Sequence, residues 1–359
     1  MKTAATLGGR LAATVFLLAG SVLMALTLRS VGWAELLAAV RAVGVPGTAL
    51  FLCVYPLACA WDVAGWRMLF PPSASPRVSL GPLYGIRLAG EALNSVTPFA
   101  DVGGEPLKAE LCAEKFGILR REALSSVLAG RAVLLYSEVI FWLIGLALAW
   151  PRLPRSGSWQ AAMWVTLLAG IGLCVGVYAL QRGGIRAAVE SVSAWLRLRL
   201  PDRVREGLRE VDRYVSEMYT ARIGAFGASM ALHLAGWIAG AGEIYVLFRL
   251  CGIEAGLTEA LILEALLHLT KTASFFVPGN LGAQEAGLAL GAAWLGIPPA
   301  FGVAASLLKR FRQIIWGLAG IAVLGWYRRG RPGRPQGTRK DYKESDRDES
   351  PATAAVVKN

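Results

Sequence analysis

Apolar residues dominate the chain in eight stretches, separated by polar segments where most of the Lys and Arg collect. Six stretches reach the roughly 20 residues that a helix needs to cross a bilayer. They run over about 11–28, 46–66, 123–150, 159–180, 223–250 and 300–326. The first follows Lys2 and Arg10 and could be a signal peptide. Its length, the lack of an A-x-A pattern and the later spans predict an uncleaved helix instead. The other two stretches differ. Residues 80–102 are interrupted by Arg87, Glu91 and Asn94, and residues 257–278 by Glu264, His268 and Lys271. Each reaches a Pro/Gly turn and returns as a shorter piece, 105–116 and 285–295. Proline and glycine free backbone polar groups, which a membrane tolerates only inside protein or along a wet cavity. Both stretches therefore predict re-entrant hairpins of broken helix. The expected fold class is an all-α polytopic membrane protein with six spans and two such hairpins.

The hairpins share one motif. Pro98 is followed by Gly103, Gly104 and, seven positions on, Glu105; Pro278 is followed by Gly279, Gly282 and, seven on, Glu285. Upstream lies an acid in an apolar helix, Asp62 or Glu243, 36 and 35 residues before the prolines. Downstream lies an arginine, Arg131 or Arg310, 26 and 25 residues after the glutamates. The order acid, broken hairpin, arginine at near-equal spacing predicts an internal repeat, with halves of about 46–150 and 223–327.

Between the halves, residues 181–222 are rich in arginine, with Ile185, Val189, Val192, Leu196 and Leu200 at helical spacing. This predicts a basic amphipathic helix on the anionic cytoplasmic leaflet. Residues 1–327 form one transmembrane domain on this reading, and 328–359 a disordered cytoplasmic tail. Placing both termini, the 67–80 and 106–122 loops and the 181–222 segment inside satisfies the positive-inside rule. The segments expected outside are 29–45, 151–158 and 251–256. An odd number of crossings then separates the halves, so the repeat is inverted, an arrangement typical of transporters. The inner, cytoplasmic membrane is the expected location.

Composition narrows the function. The chain has 359 residues, 55% hydrophobic and only 17% charged, with mean hydropathy +0.49. The net charge of +12 sits in loops and tail, so nucleic acid is not the expected partner. Five scattered cysteines without a CxxC pair, and two distant histidines, predict no disulfide framework, metal site or cofactor.

Ionised groups at bilayer depth are costly, and normally pair or face a cavity. The candidates for binding substrate are Glu91, Asn94, Glu105 and Arg131 in the first half, and Asn280, Glu285 and Arg310 in the second. Asp62, Glu138, Glu243, Glu264 and His268 are candidate intramembrane acids or proton carriers; Lys309, Arg312 and Gln284 complete the polar inventory. Arginine binds phosphate bidentately, and helix N-termini after the turns add N–H donors. A lipid-phosphate headgroup site is one reading, and replacing Arg131 or Arg310 by Ala is then expected to abolish transport and leave the fold. Glu105–Arg131 and Glu285–Arg310 as structural ion pairs is the other.

The segments Gly90–Pro98, Gly104–Lys108 and Gly130-Arg131, with Phe276–Glu285 and Lys309-Arg310, resemble the signatures of the lysylphosphatidylglycerol synthase transmembrane-region, or flippase-like, family. The family includes the lipid-flipping half of the multiple-peptide-resistance factors and stand-alone members near hopanoid and polyprenyl-lipid pathways. The resemblance implies movement of a membrane lipid across the bacterial inner membrane. The resistance factors continue into a soluble aminoacyl-transferase domain where this chain has a short tail, so no lysyl-lipid synthesis is expected. A lipid-modifying enzyme, or an assembly partner of a lipid-synthesis complex, are the alternatives; a homo-oligomer is compatible with each.

Overall fold

The structure is a computed structural model that describes residues 18–19, 21–96, 103–152, 157–182, 184–195, 201–275 and 277–329. Among these residues there are twelve α-helices and no strand. Helix α1 is Ser21–Val31. It is followed by α2 (Trp33–Arg67), α3 (Leu80–Val96), α4 (Glu105–Phe116), α5 (Arg120–Ala149) and α6 (Gly157–Gln181). Then come α7 (Ile185–Trp195), α8 (Asp202–Met218), α9 (Ile223–Leu250), α10 (Leu257–Ala273), α11 (Ala283–Trp294) and α12 (Pro299–Arg329).

Four helices, α2, α5, α6 and α9, are long and apolar enough to cross a membrane. Helix α6 leaves Trp164, Val165, Leu168, Ile171 and Val175 exposed along its length, as a lipid-facing helix should. Helix α12 has 31 residues, which span about 46 Å at 1.5 Å per residue, but carries Lys309, Arg310 and Arg312. The chain is an all-α polytopic membrane protein.

The two hairpins match in size. Helices α3 and α10 both have 17 residues, and α4 and α11 both have 12. The packing matches too. Helix α2 lies against α9, α4 against α5, and α11 against α12. Each long hairpin arm crosses to the other half: α3 packs on α12, and α10 on α5. Exchanging the halves reproduces this pattern of neighbours. Both crossed seams are tight. A methyl group at Gly320 would overlap the backbone of Leu88, and one at Gly145 would overlap Ala265.

Three expectations change. Residues 29–45 are not a loop: α2 starts at Trp33 and breaks at Gly44, whose φ of 61° only glycine adopts cheaply. The expected helix over 181–222 is two, α7 and α8. Val211, Val215 and Met218 on α8 are buried, Met218 in a cluster with Leu69, Ala129 and Val133, and Arg121 pairs with Glu210 at 2.5 Å. The apolar face of α8 is therefore spent on protein rather than lipid. Finally, α12 continues to Arg329, two residues beyond the expected boundary. Pro98 and Asp101 lie outside the described residues, as does 330–359.

Candidate functional site

The second hairpin is sutured at its tip. Gly279 (φ 63°) and Asn280 (φ 51°) are both left-handed. The Asn280 side chain lies 2.8 Å from Ser274 Oγ. Turned so that its nitrogen faces the helix, it reaches the carbonyls of Lys271 and Ser274 at 2.9 and 3.0 Å, which satisfies the open end of α10. Gly282 N–H donates to Glu285 Oε2 at 2.8 Å, capping α11. Arg310 reaches in from α12. Its Nε and Nη2 donate to Glu285 Oε1 and Oε2 at 2.5 and 3.2 Å, while Nη1 and Nη2 donate to the carbonyls of Gly279 and Asn280 at 2.8 and 3.1 Å. Ser306 Oγ adds a bond to Glu285 Oε1 at 2.9 Å and accepts from Gln284 Nε2 at 2.9 Å. Glu285 is fully buried. The expected Glu285–Arg310 pair is present, and it locks the turn.

The first hairpin is built differently. Gly103 and Gly104 lead into α4, and Gly104 N–H donates to Asn94 Oδ1 at 2.5 Å, which joins the end of α3 to the start of α4. Glu105 turns to Lys108 on its own helix, with Nζ to Oε1 at 3.1 Å, and the same ammonium lies 3.2 Å from Glu91 Oε1. Lys108 is buried. The Glu105–Arg131 pair does not form among the described residues. Arg131 is half-buried and near enough for its charge to act on Glu91, but makes no salt bridge among the described residues. Helices α5 and α10 run antiparallel: Gly145 meets Ala265, and Glu138 lies by His268 and Thr272. That register sets Arg131, two turns or about 10 Å further along α5, towards the end of α10 at Ala273.

Behind the hairpins, acids and bases form a chain through the interior. His233 Nδ1 on α9 lies 2.7 Å from Asp62 Oδ1 on α2, and Arg87 Nε on α3 donates to Asp62 Oδ2. Arg87 also reaches the Tyr55 hydroxyl at 3.4 Å. The Arg312 guanidinium stacks on the Tyr55 ring, 4.4 Å from its centroid, and donates to Glu243. Lys309 Nζ bridges Glu243 and Glu264 at 2.9 and 3.0 Å. His268 then stands between Glu264 and Glu138, 3.4 Å from each. An unpaired ion inside protein costs several kcal/mol, so this pairing is what permits so many charges.

Each candidate thus has a place. Asn94 sutures the first hairpin, while Asn280, Glu285 and Arg310 suture the second. Glu91 and Glu105 flank Lys108, near Arg131. The five candidate acids and proton carriers all belong to the interior chain. Arg87, Lys108 and Tyr55 were given no role, and Lys309 and Arg312 stood in the polar inventory without one, although each of the four cations pairs with a candidate and Tyr55 stacks with Arg312. The Glu105-x-x-Lys108 spacing was the available signal, because positions i and i+3 share a helix face.

Comparison with known proteins agrees with this architecture. The family model of the lysylphosphatidylglycerol synthase TM region matches residues 11–320. The chain belongs to this family. A UPF0104 membrane protein of Methanothermobacter thermautotrophicus is 23% identical over 263 residues, covering 67% of this chain and 73% of that protein. No solved structure matches the chain. In this family member the matched region takes in both hairpins, the crossed seams and the whole interior chain.

Proposed function

We propose that the chain moves an anionic lipid, of the phospholipid, polyprenyl-phosphate or hopanoid type, between the leaflets of the cytoplasmic membrane. Both termini lie in the cytoplasm on this reading, the halves are inverted, and the protein transports rather than catalyses. The observation that carries the proposal is Arg131. It is a permanently charged fork, suited to phosphate, half-buried on α5 beyond the Glu138–His268 contact and without a salt bridge among the described residues. Arg310, by contrast, spends its donors on Glu285 and two carbonyls. The Glu91–Lys108 pair, whose carboxylate feels the charge of Arg131, offers a second cation and a carboxylate to exchange with the headgroup. The tails stay in lipid while the headgroup passes between the hairpins. Family membership supports a membrane role of this type.

The test is leaflet exchange in proteoliposomes, with fluorescent anionic and zwitterionic lipids compared. The intact protein should move the anionic probe faster, and Arg131→Ala should remove the difference while the purified protein keeps its thermal transition. Equal rates for both probes in both proteins would refute the assignment.

A further inference from the structure

The seam between α5 and α10 joins the first half of the repeat to the second, and its polar contact is unusual. His268 sits between two carboxylates that belong to different halves. Nδ1 faces Glu138 Oε1 on α5, and Nε2 faces Glu264 Oε1 on α10, both at 3.4 Å. A neutral imidazole has one N–H and one lone pair. Facing two carboxylates, it would aim the lone pair at an anion; the doubly protonated ring donates to both. The local charge count agrees. Glu243 and Glu264 meet two fixed cations, Lys309 and Arg312, while Glu138 meets only His268 and Thr272 among the described residues. One more positive charge closes the balance, and the imidazolium is in position to supply it.

The groups around the ring are accounted for. From α9, the Trp237 ring lies 4.4 Å from the imidazole, centroid to centroid, and its indole N–H donates to Ser137 Oγ at 3.0 Å. Glu243 on α9 is held by Lys309 and Arg312 of α12, and Glu285 on α11 by Arg310. On α5, Arg131 lies two turns away, and Phe141 presents a ring edge. On α10, Lys271 is three residues on, and Thr272 Oγ1 donates to Glu138 Oε1 at 3.3 Å.

We propose that His268 binds one proton, shared with Glu138 and Glu264, and that this proton clamps the α5–α10 seam and is released when the halves separate. The protein is then driven by, or gated by, protons. The proton site stands on the seam's geometry; its use in transport rests on the reading of Arg131 above.

Trp237 offers a readout that needs no cargo, because an imidazolium quenches a neighbouring indole more than an imidazole does. The intact protein and Trp237→Phe would be titrated with pH in phosphatidylcholine–phosphatidylglycerol nanodiscs. Their fluorescence difference cancels the other eleven of the 12 tryptophans. It should lose intensity on acidification with the slope of a single group, and His268→Gln should flatten it. Glu138→Gln, nearly isosteric and safer for folding, should shift the midpoint. A difference signal that is flat with pH, or that still titrates in His268→Gln, overturns the proton site and leaves the lipid reading untouched. Leaflet exchange under an imposed pH gradient is the second arm: dependence on the gradient, lost in His268→Gln, is expected. A titrating site with gradient-independent exchange overturns the coupling alone.

Discussion

The two hairpins have the same lengths, the same neighbours and the same glutamate, yet their arginines do opposite things. At the second, Arg310 satisfies the carbonyls of a left-handed turn and both oxygens of a fully buried Glu285. At the first, Glu105 pairs instead with Lys108, three residues on along its own helix. Leu288 stands at the corresponding place after Glu285, so no such partner exists there. The first hairpin thus keeps an arginine, Arg131, without a salt bridge among the described residues.

Substitutions sharpen this contrast. The largest effect is expected from Glu285→Ala, which takes the carboxylate from a partly buried guanidinium and leaves it only the two carbonyls: about 3 kcal/mol of stability, read by unfolding in detergent or nanodiscs. Glu105→Ala should cost only about 1 kcal/mol, since Lys108 keeps Glu91. Similar losses at both positions would break the distinction. Lys108→Met removes the cation between two carboxylates, and should cost about 2 kcal/mol. It also leaves Glu91 to the charge of Arg131, so exchange of anionic lipid should slow. Arg131→Ala should change stability by less than about 1 kcal/mol, but slow anionic exchange about 10–100-fold, the worth of one charge-assisted bond. Arg310→Ala, expected from the sequence to spare the fold, should instead unfold more readily.

The smallest effect lies far from either hairpin. Asp212 on α8 accepts the Arg186 N–H at 3.3 Å. Burial pushes its carboxyl above the usual range, although the Arg186 N–H and charge oppose this. A raised carboxyl favours the folded state at low pH, and that contribution is lost as pH rises through the folded-state value. Asp212→Asn should therefore make the α7–α8 pair slightly more resistant to proteolysis at neutral pH, and the gain should vanish on acidification.

The matching helix pairs and the turn of the second hairpin could be read from sequence, because acid, proline, glycine and arginine recur in one order. Partners were harder. Spacings of 25 and 26 residues look equivalent, yet among the described residues Arg310 meets its glutamate and Arg131 does not, while Lys108 in α4 pairs with Glu105. Helix α8 was not legible as a packed helix, because the apolar helical spacing followed runs from Ile185 to Leu200, and Val211, Val215 and Met218 lie beyond it. The Gly44-x-Pro46 break looked like a helix start, but α2 is helical on both sides of it. The Glu138–His268–Glu264 contact depends on the antiparallel register of α5 and α10, which no local pattern encodes.

The most direct test of the central claim is mass spectrometry of the lipid retained by gently purified protein, with Arg131→Ala and Arg131→Lys alongside. One anionic lipid class enriched on the intact protein, lost with alanine and partly kept with lysine, is the predicted result. Bulk lipid in all three, unchanged by the substitutions, would contradict the role of Arg131 as the headgroup-binding residue.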